Sequence, residues 1–172
     1  ISLRGSELSA KFHSAMSDFL FLCVIIFYMI RKKKTDIKKL KEKLWELCKQ
    51  IVRKRDGNVC IICGKQGLEG SGWHTGHFIA SSTCGAFLRY NLRNLHSSCY
   101  YCNINLGGNG ALFLIALEDI YGRPFVDSIL RDRNISIKAD ISFYEEEIRK
   151  LEEIKNWSRS QLFDYTEKLG TR

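Results

Sequence analysis

The stretch that decides the fold runs from Cys60 to Asn103 and reads CIICGKQGLEGSGWHTGHFIASSTCGAFLRYNLRNLHSSCYYCN. It opens with one Cys-x-x-Cys pair, Cys60 and Cys63, and closes with a second, Cys99 and Cys102. A two-residue spacer lets both sulfurs of a pair reach one ion, so the four cysteines predict a tetrahedral structural Zn²⁺ site. A plain zinc ribbon separates its pairs by roughly 15–20 residues, whereas 35 residues lie between these pairs. The insert therefore needs a role of its own.

The charge of the chain is concentrated in one segment. The 172 residues carry a formal charge of +8, and residues 31–55 alone hold twelve basic and three acidic side chains. Such a segment indicates one surface for a polyanion, either nucleic acid or an anionic membrane. The length suits one domain with appendages, and 45% hydrophobic residues exclude wholesale disorder. Seven cysteines, three of them unpaired in this spacing, do not suit a secreted disulfide scaffold, so we expect an intracellular protein.

Residues 1–34 form an apolar N-terminal segment with a basic flank. Residues 19–30 read FLFLCVIIFYMI and are followed at once by RKKK. Twelve apolar residues fall short of the roughly 20 that a membrane crossing needs. We therefore favour a buried helix or strand, or sequence upstream of the natural start, over a membrane anchor.

Residues 35–56 predict a basic amphipathic helix. Its apolar positions recur at steps of three and four and so share one face, with Thr35 or Asp36 as the N-cap and Asp56-Gly57 as the end. That face comprises Ile37, Leu40, Leu44, Leu47 and Ile51.

The rest of the chain predicts short elements. We expect strands over residues 59–62 and 73–80, a helix or tight turn within residues 94–103, and helices over about 111–121 and 125–131. A last long helix would be capped by Ser142, with Tyr144, Ile148 and Leu151 on its apolar face. That helix could pair in a homodimer or pack inward.

Polar residues of the insert suit phosphodiester hydrolysis, which needs an activated water and stabilisation of negative charge. His77 could act as the general base on the water. Asn103 directly follows Cys102, so the zinc turn would fix its position, and its neutral oxygen suits Mg²⁺. Asn94 could hold the loop or orient His77.

The order of these motifs resembles that of the phage NinG/Rap recombination proteins. From Leu44 to about Ile154, roughly two-thirds of the chain, it runs as basic helix, R-x-R-D, C-x-x-C, W-H-x-G-H-[FY], L-R-[FY]-N, C-x-x-C-N, a G-N turn and helices. The Gly-His-Phe strand and the two asparagines also resemble the HNH, or ββα-metal, endonucleases. The resemblance implies nuclease action on branched DNA during recombination. It also implies a relation to recombination endonuclease VII, whose two C-x-x-C pairs hold a structural zinc.

By motif position, the resemblance makes His77, Asn94 and Asn103 the catalytic residues and Asn103 a ligand of a catalytic Mg²⁺ or Mn²⁺. Endonuclease VII-like sites carry a metal-binding acid directly before the histidine, where this chain has Gly76. His74 could replace that acid, or have a structural or DNA-contacting role. Because positions 74 and 77 of a regular strand point to opposite faces, bringing both to one site would need a bulge at Gly76.

These observations predict an α+β fold. A small zinc-stapled ββα-metal (HNH) core, residues 57–123, would lie between the basic helix and a C-terminal helical region, residues 124–172. The expected function is a metal-dependent endonuclease on branched DNA, cytoplasmic in a bacterial host cell if phage-encoded. The alternative is a non-catalytic zinc-stabilised module that binds DNA or a protein. The residues expected to contact DNA phosphates are Lys49, Arg53, Lys54, Arg55, Arg89 and Arg93.

Overall fold

A computed structural model describes residues 4–170, without the side chains of residues 4–21, 32 and 35. It is helix-rich, with one small sheet in the described part, as expected in outline for an α+β chain. The elements are α1 (Arg4–Asp56), β1 (Trp73–His77), α2 (Ala86–Arg89), β2 (Leu95–Cys99), α3 (Gly110–Tyr121), α4 (Arg123–Asp132), α5 (Ile141–Ile154) and α6 (Arg159–Gly170). A 3₁₀ turn at Gly70–Gly72 precedes β1, and a π-helical turn at Tyr101–Asn105 follows β2. The chain divides into two compact units, one ending at Lys39 and the other beginning at Leu40.

The described part of the first unit is helical, and its apolar run at residues 22–30 is exposed. Across residues 22–30 every side chain is exposed, so the expectation that this segment is buried is wrong for these residues. The side chains of residues 19–21 lie outside the described part. Among the described residues, no helix has an apolar stretch of the length that a membrane crossing requires. Because α1 already begins at Arg4, the expected N-cap at Thr35 or Asp36 is also wrong. No glycine or proline interrupts residues 6–56, so nothing local stops the helix upstream.

The core of the second unit joins the cysteines to the helices. The predicted stripe of α1 is confirmed at Leu44, Leu47 and Ile51, which are buried together with side chains of α3 to α6. Removing such side chains from water is the main stabilising contribution to a fold of this size. One continuous apolar cluster contains Cys60, Cys99, Cys102, Leu88, Phe113, Leu117, Val126 and Ile129.

The sheet is an antiparallel pair in regular register. Trp73 lies opposite Cys99 and His77 lies opposite Leu95, with no extra residue in between. The bulge considered at Gly76 is therefore not formed. Residues 59–62 are not a strand, because the Cys60 amide donates to the Lys65 carbonyl and closes a tight turn. Within residues 94–103, Leu95–Cys99 form β2, and the predicted helical turn is confirmed only after it, as the π-helical turn at Tyr101–Asn105.

The C-terminal helices pack inward. Asp140, not Ser142, is the N-cap of α5, because its carboxylate accepts a hydrogen bond from the Phe143 amide. The predicted apolar face of α5 is confirmed as buried, at Tyr144, Ile148 and Leu151. Helix α6 was not expected as a separate element. Since the apolar face of α5 is covered within the chain, that face is not a dimer surface.

Candidate metal centre and active site

The four paired cysteines come together. The sulfurs of Cys60, Cys63, Cys99 and Cys102 all lie within 4.8 Å of one another, and the Cys63 and Cys99 sulfurs are 3.9 Å apart. Four Zn–S bonds of about 2.3 Å in a tetrahedron place the sulfurs roughly 3.8 Å apart, so this donor set fits zinc. The Cys102 amide donates to the Cys99 sulfur at 3.4 Å. The cluster could therefore hold a structural metal ion such as Zn²⁺.

The other three cysteines lie outside this cluster. Cys23 is exposed, whereas Cys48 and Cys84 are buried. The Cys48 thiol donates to the Tyr90 carbonyl at 3.6 Å, and burial strongly raises its pKa. A thiol that stays protonated in an apolar setting behaves as a small core residue.

His74 and Asn103, 29 residues apart in sequence, meet on one face of β1. The Asn103 amide Nδ2 donates to His74 Nδ1 at 3.1 Å, while His74 Nε2 donates to the Ser71 carbonyl at 2.9 Å. Gly76 keeps the space beside them open, because a Cβ there would lie 3.0 Å from Asn103 Oδ1 and 2.8 Å from Ser98 Oγ. Ser98 Oγ is buried and has no hydrogen-bond partner. Nitrogen and oxygen donors thus converge on a small space over Gly76.

These donors fit a weakly held hard cation. An imidazole nitrogen, an amide oxygen and a hydroxyl can all ligate a divalent ion, and Asn103 Oδ1 already faces the space over Gly76. All three groups are neutral, so the charge that would hold the ion must come largely from elsewhere. Among the described residues, the four cysteines are the one cluster of three or more His, Cys, Asp or Glu side chains suited to a metal.

His77 lies on the other face of β1 and is held in a defined orientation. Its Nε2 donates to the Arg89 carbonyl at 3.0 Å, and its ring stacks on Trp45 of α1 at 5.3 Å between centroids. Burial lowers the pKa of His77 below its usual value; the Arg89 carbonyl opposes this shift and the Arg89 guanidinium adds to it. Burial thus favours the neutral form of the ring, and the Arg89 carbonyl engages Nε2 and not Nδ1.

Asn94 holds the loop that contains Arg89, whose carbonyl accepts the hydrogen bond from His77. It is fully buried, accepts from the Ile79 amide at 2.7 Å, and donates to the Ile79 carbonyl at 3.0 Å. It also donates to the Leu88 carbonyl, one residue before the Arg89 carbonyl that His77 contacts. Of the two roles expected for Asn94, the geometry shows that it holds the loop, while its orientation of His77 and its catalytic role stay predictions.

The predicted phosphate-binding arginines separate into two classes. Arg55 and Arg93 are only 1% and 5% exposed and are ion-paired with Asp56 and Asp132 at 2.6 Å. Burial and ion pairing in this structure argue against the contacts with DNA phosphates expected for these two arginines, which stay a prediction.

The remaining predicted DNA contacts are reachable from solvent. Arg53 donates to the Trp73 carbonyl at 2.7 Å, and Lys49 pairs with Glu46 at 2.5 Å in an exposed ion pair. Lys54 is exposed and lies 3.4 Å from the Lys155 carbonyl. Arg89 is half-buried beside His77.

The sequence did not predict two side-chain contacts, that of Trp45 with His77 and that of Asp56 with Arg55. Trp45 directly follows Leu44 of the apolar stripe, and that position in the sequence gives no sign that it stacks on His77. Asp56 was visible as the last residue of the R-x-R-D motif, an acid directly beside an arginine, but its burial could not be read from that spacing.

Comparison with known proteins identifies a family that this chain matches. The sequence profile of the family described as "Bacteriophage Lambda NinG protein" matches residues 28–159. Similar curated proteins include "Protein ninG" of Escherichia phage lambda, 31% identical over 115 residues, and "Protein ninG" of Salmonella phage P22, 32% identical over 83 residues. The lambda match covers 64% of this chain and 54% of its relative; the P22 match covers 48% and 39%. The chain thus spans about half the length, or less, of these relatives. No solved structure matches it.

Proposed function

This chain belongs to the NinG family, and on that premise we propose that it is a metal-dependent DNA endonuclease acting on branched or recombination-intermediate DNA. The observation that carries the proposal is the imidazole of His77, held by the Arg89 carbonyl on one face of β1, while His74 on the other face meets Asn103 of the π-helical turn. The HNH-like motif order supports the same reaction.

His77 is suited to activate water. With Nε2 bound to a carbonyl, Nδ1 can take a proton from a water molecule as its oxygen attacks phosphorus and the bond to the leaving oxygen breaks. The leaving oxygen then takes a proton from solvent. A divalent ion at His74 and Asn103 would supply stabilisation of the charge that develops on the phosphate oxygens.

Side chains on the two faces of β1 can contact the same phosphate only near the end of the strand. His77 is the last residue of β1, and β2 is the one strand that pairs with it among the described residues, so the opposite edge of β1 carries no strand. A DNA backbone crossing that edge would bring one phosphate next to Gly76, within reach of groups on both faces. Because the metal ligands are neutral, we also propose that the phosphate itself contributes to holding the ion.

Replacing His77 by alanine should reduce DNA cleavage by about 10²–10⁴-fold, the usual worth of a positioned general base. Zinc content should stay unchanged, since His77 is not part of the cysteine cluster, and DNA binding should persist. The wild-type profile of kcat/KM against pH should rise with a midpoint below about 6.5, because burial lowers the pKa of His77. Cleavage of a four-way junction and of linear duplex, in Mg²⁺ and in Mn²⁺, measures both effects.

His74→Ala is the companion variant and Cys23→Ser the matched control outside the site. His74→Ala should raise the Mg²⁺ or Mn²⁺ concentration needed for cleavage, while the control cleaves normally. Normal cleavage by His77→Ala would exclude His77 as the base. Absence of cleavage by the wild type on either substrate would favour the alternative, a zinc-stabilised binding module. Equal cleavage of junction and duplex would remove the branch preference.

Lys49 and Lys54 of α1 are proposed to hold the DNA backbone. Lys49→Gln with Lys54→Gln should weaken binding and lower the slope of log K against log salt by about 0.9 for each phosphate that is no longer neutralised. The metal requirement should not change. Arg133→Gln with Lys138→Gln, two exposed cations elsewhere, is the control. Equal salt slopes for the two double variants would contradict this assignment.

A further inference from the structure

A pocket of about 320 Å³ opens on the His77 face of β1. It is lined by Trp45, His77, Ser81, Ser82, Arg89 and Tyr90, so it carries one permanent cation and no carboxylate. The volume lies at the lower end of the range for small-ligand sites, roughly 300–1,000 Å³. This pocket lies on the opposite side of the strand from His74 and Asn103.

The guanidinium of Arg89 is incompletely satisfied there. One terminal nitrogen donates to the Ser81 carbonyl, but Nε is buried and has no partner. No carboxylate pairs with Arg89 among the described residues, in contrast to Arg55 and Arg93, which pair with Asp56 and Asp132. A half-buried cation that lacks a carboxylate counter-ion is a ready partner for an anion.

The other lining groups favour a phosphate over a metal or a fatty ligand. Arg89 repels a cation, while the hydroxyls of Ser81 and Ser82 can donate to an oxyanion with several acceptor oxygens. The ring of Trp45, stacked at 9° on His77, presents an aromatic surface against which a sugar or base attached to that phosphate can lie.

We propose that this pocket is a phosphate site that holds one group of the DNA backbone beside His77, with Arg89 as its main ligand and Ser82 as a second donor. That the phosphate belongs to DNA rests on the proposed function, whereas anion binding itself does not. Trp45 acts as a positioning residue, because its stacking keeps the imidazole aligned with the pocket.

The test uses the full zinc-loaded chain without Mg²⁺ or Mn²⁺, so that no cleavage is required. The probes are inorganic phosphate and a 5′-phosphorylated dinucleotide, and the readout is the pKa of the His77 ring measured by ¹⁵N NMR. A bound anion should raise that pKa, and the titration gives the affinity. Arg89→Gln should weaken the binding of both probes by about tenfold or more. Arg89→Lys should restore part of it, and the exposed control Arg133→Gln should behave as wild type.

Ser82→Ala protects the test against a misfolded Arg89 variant, since the Ser82 side chain is exposed. It should weaken binding several-fold with an unchanged melting temperature.

An unshifted His77 pKa at saturating phosphate, or equal binding by wild type and the Arg89 and Ser82 variants, would overturn the proposal. If phosphate binds as expected but the wild type cleaves no DNA, the anion site stands and the nuclease assignment fails. If DNA is cleaved equally by wild type and both variants, this inference fails and the nuclease assignment stands.

Discussion

Cys99→Ser, or removal of the bound metal by a chelator, should unfold the segment from the first Cys-x-x-Cys turn to the π-helical turn. A two-stranded sheet is marginally stable by itself, and here the cysteine cluster joins its second strand to the preceding turn. Binding of structural zinc supplies on the order of 10 kcal/mol to such folds. We therefore expect the thermal transition of the serine variant to broaden and fall sharply. Loss of the near-ultraviolet signal of Trp73, which lies opposite Cys99, should accompany it.

The measurement is zinc content by atomic absorption together with thermal unfolding, with and without EDTA. Cys23→Ser is the matched control, because Cys23 is exposed and outside the cluster. The control should keep its metal and its melting temperature. Identical melting of wild type, chelated protein and Cys99→Ser would mean that the cluster contributes nothing to the fold.

Asp56→Asn should cost about 3–5 kcal/mol of unfolding free energy, the usual cost of removing one partner of a buried ion pair. Asp56 accepts from Arg55 Nε at 2.6 Å and from the Ser97 amide at 2.7 Å. Arg55 in turn donates to the Leu92 carbonyl at 2.9 Å and to Thr166 at 3.1 Å. One charged pair thus ties the end of α1 to β2 and α6. The variant would leave the Arg55 guanidinium buried without its counter-charge.

The pH dependence of the unfolding free energy identifies the contribution of the Asp56–Arg55 pair. Burial alone would raise the pKa of Asp56, but the Arg55 guanidinium and the His96 ring outweigh it, and the pKa lies well below its usual value. A carboxylate with a lowered folded-state pKa contributes stability above its unfolded pKa of about 3.9 and loses it as the pH falls further. The difference between wild type and Asp56→Asn should therefore be full at pH 7 and shrink below about pH 4.

Urea unfolding of the zinc-saturated proteins across this range measures that difference. Glu145→Gln, an exposed change of the same kind on α5, is the control and should stay within about 0.5 kcal/mol of wild type at pH 7. A cost for Asp56→Asn that equals the control, or that does not vary with pH, would contradict the structural role of the pair.

The sequence predicted well those features whose physical cause lies within a few neighbouring residues. The stripe of Leu44, Leu47 and Ile51, the helix that ends before Gly122, and the inward face of α5 all follow from periodicity and from terminating residues. The four-cysteine cluster also follows, because its spacing reflects the reach of a tight turn. The strand predicted at residues 59–62 was wrong because the Cys60 amide closes a tight turn on the Lys65 carbonyl, which β-propensity alone does not predict.

The sequence by itself determined the cysteine cluster, the basic helix and the order of the motifs. Only the tertiary structure decided which charged and polar residues face solvent and which meet. It buried Arg55 and Arg93 against acids, brought Asn103 to His74, and placed Trp45 on His77. The physical reason is that helix periodicity and turn spacing act over a few residues. Burial and contact between distant side chains depend instead on strand register and helix packing, which a local pattern does not contain.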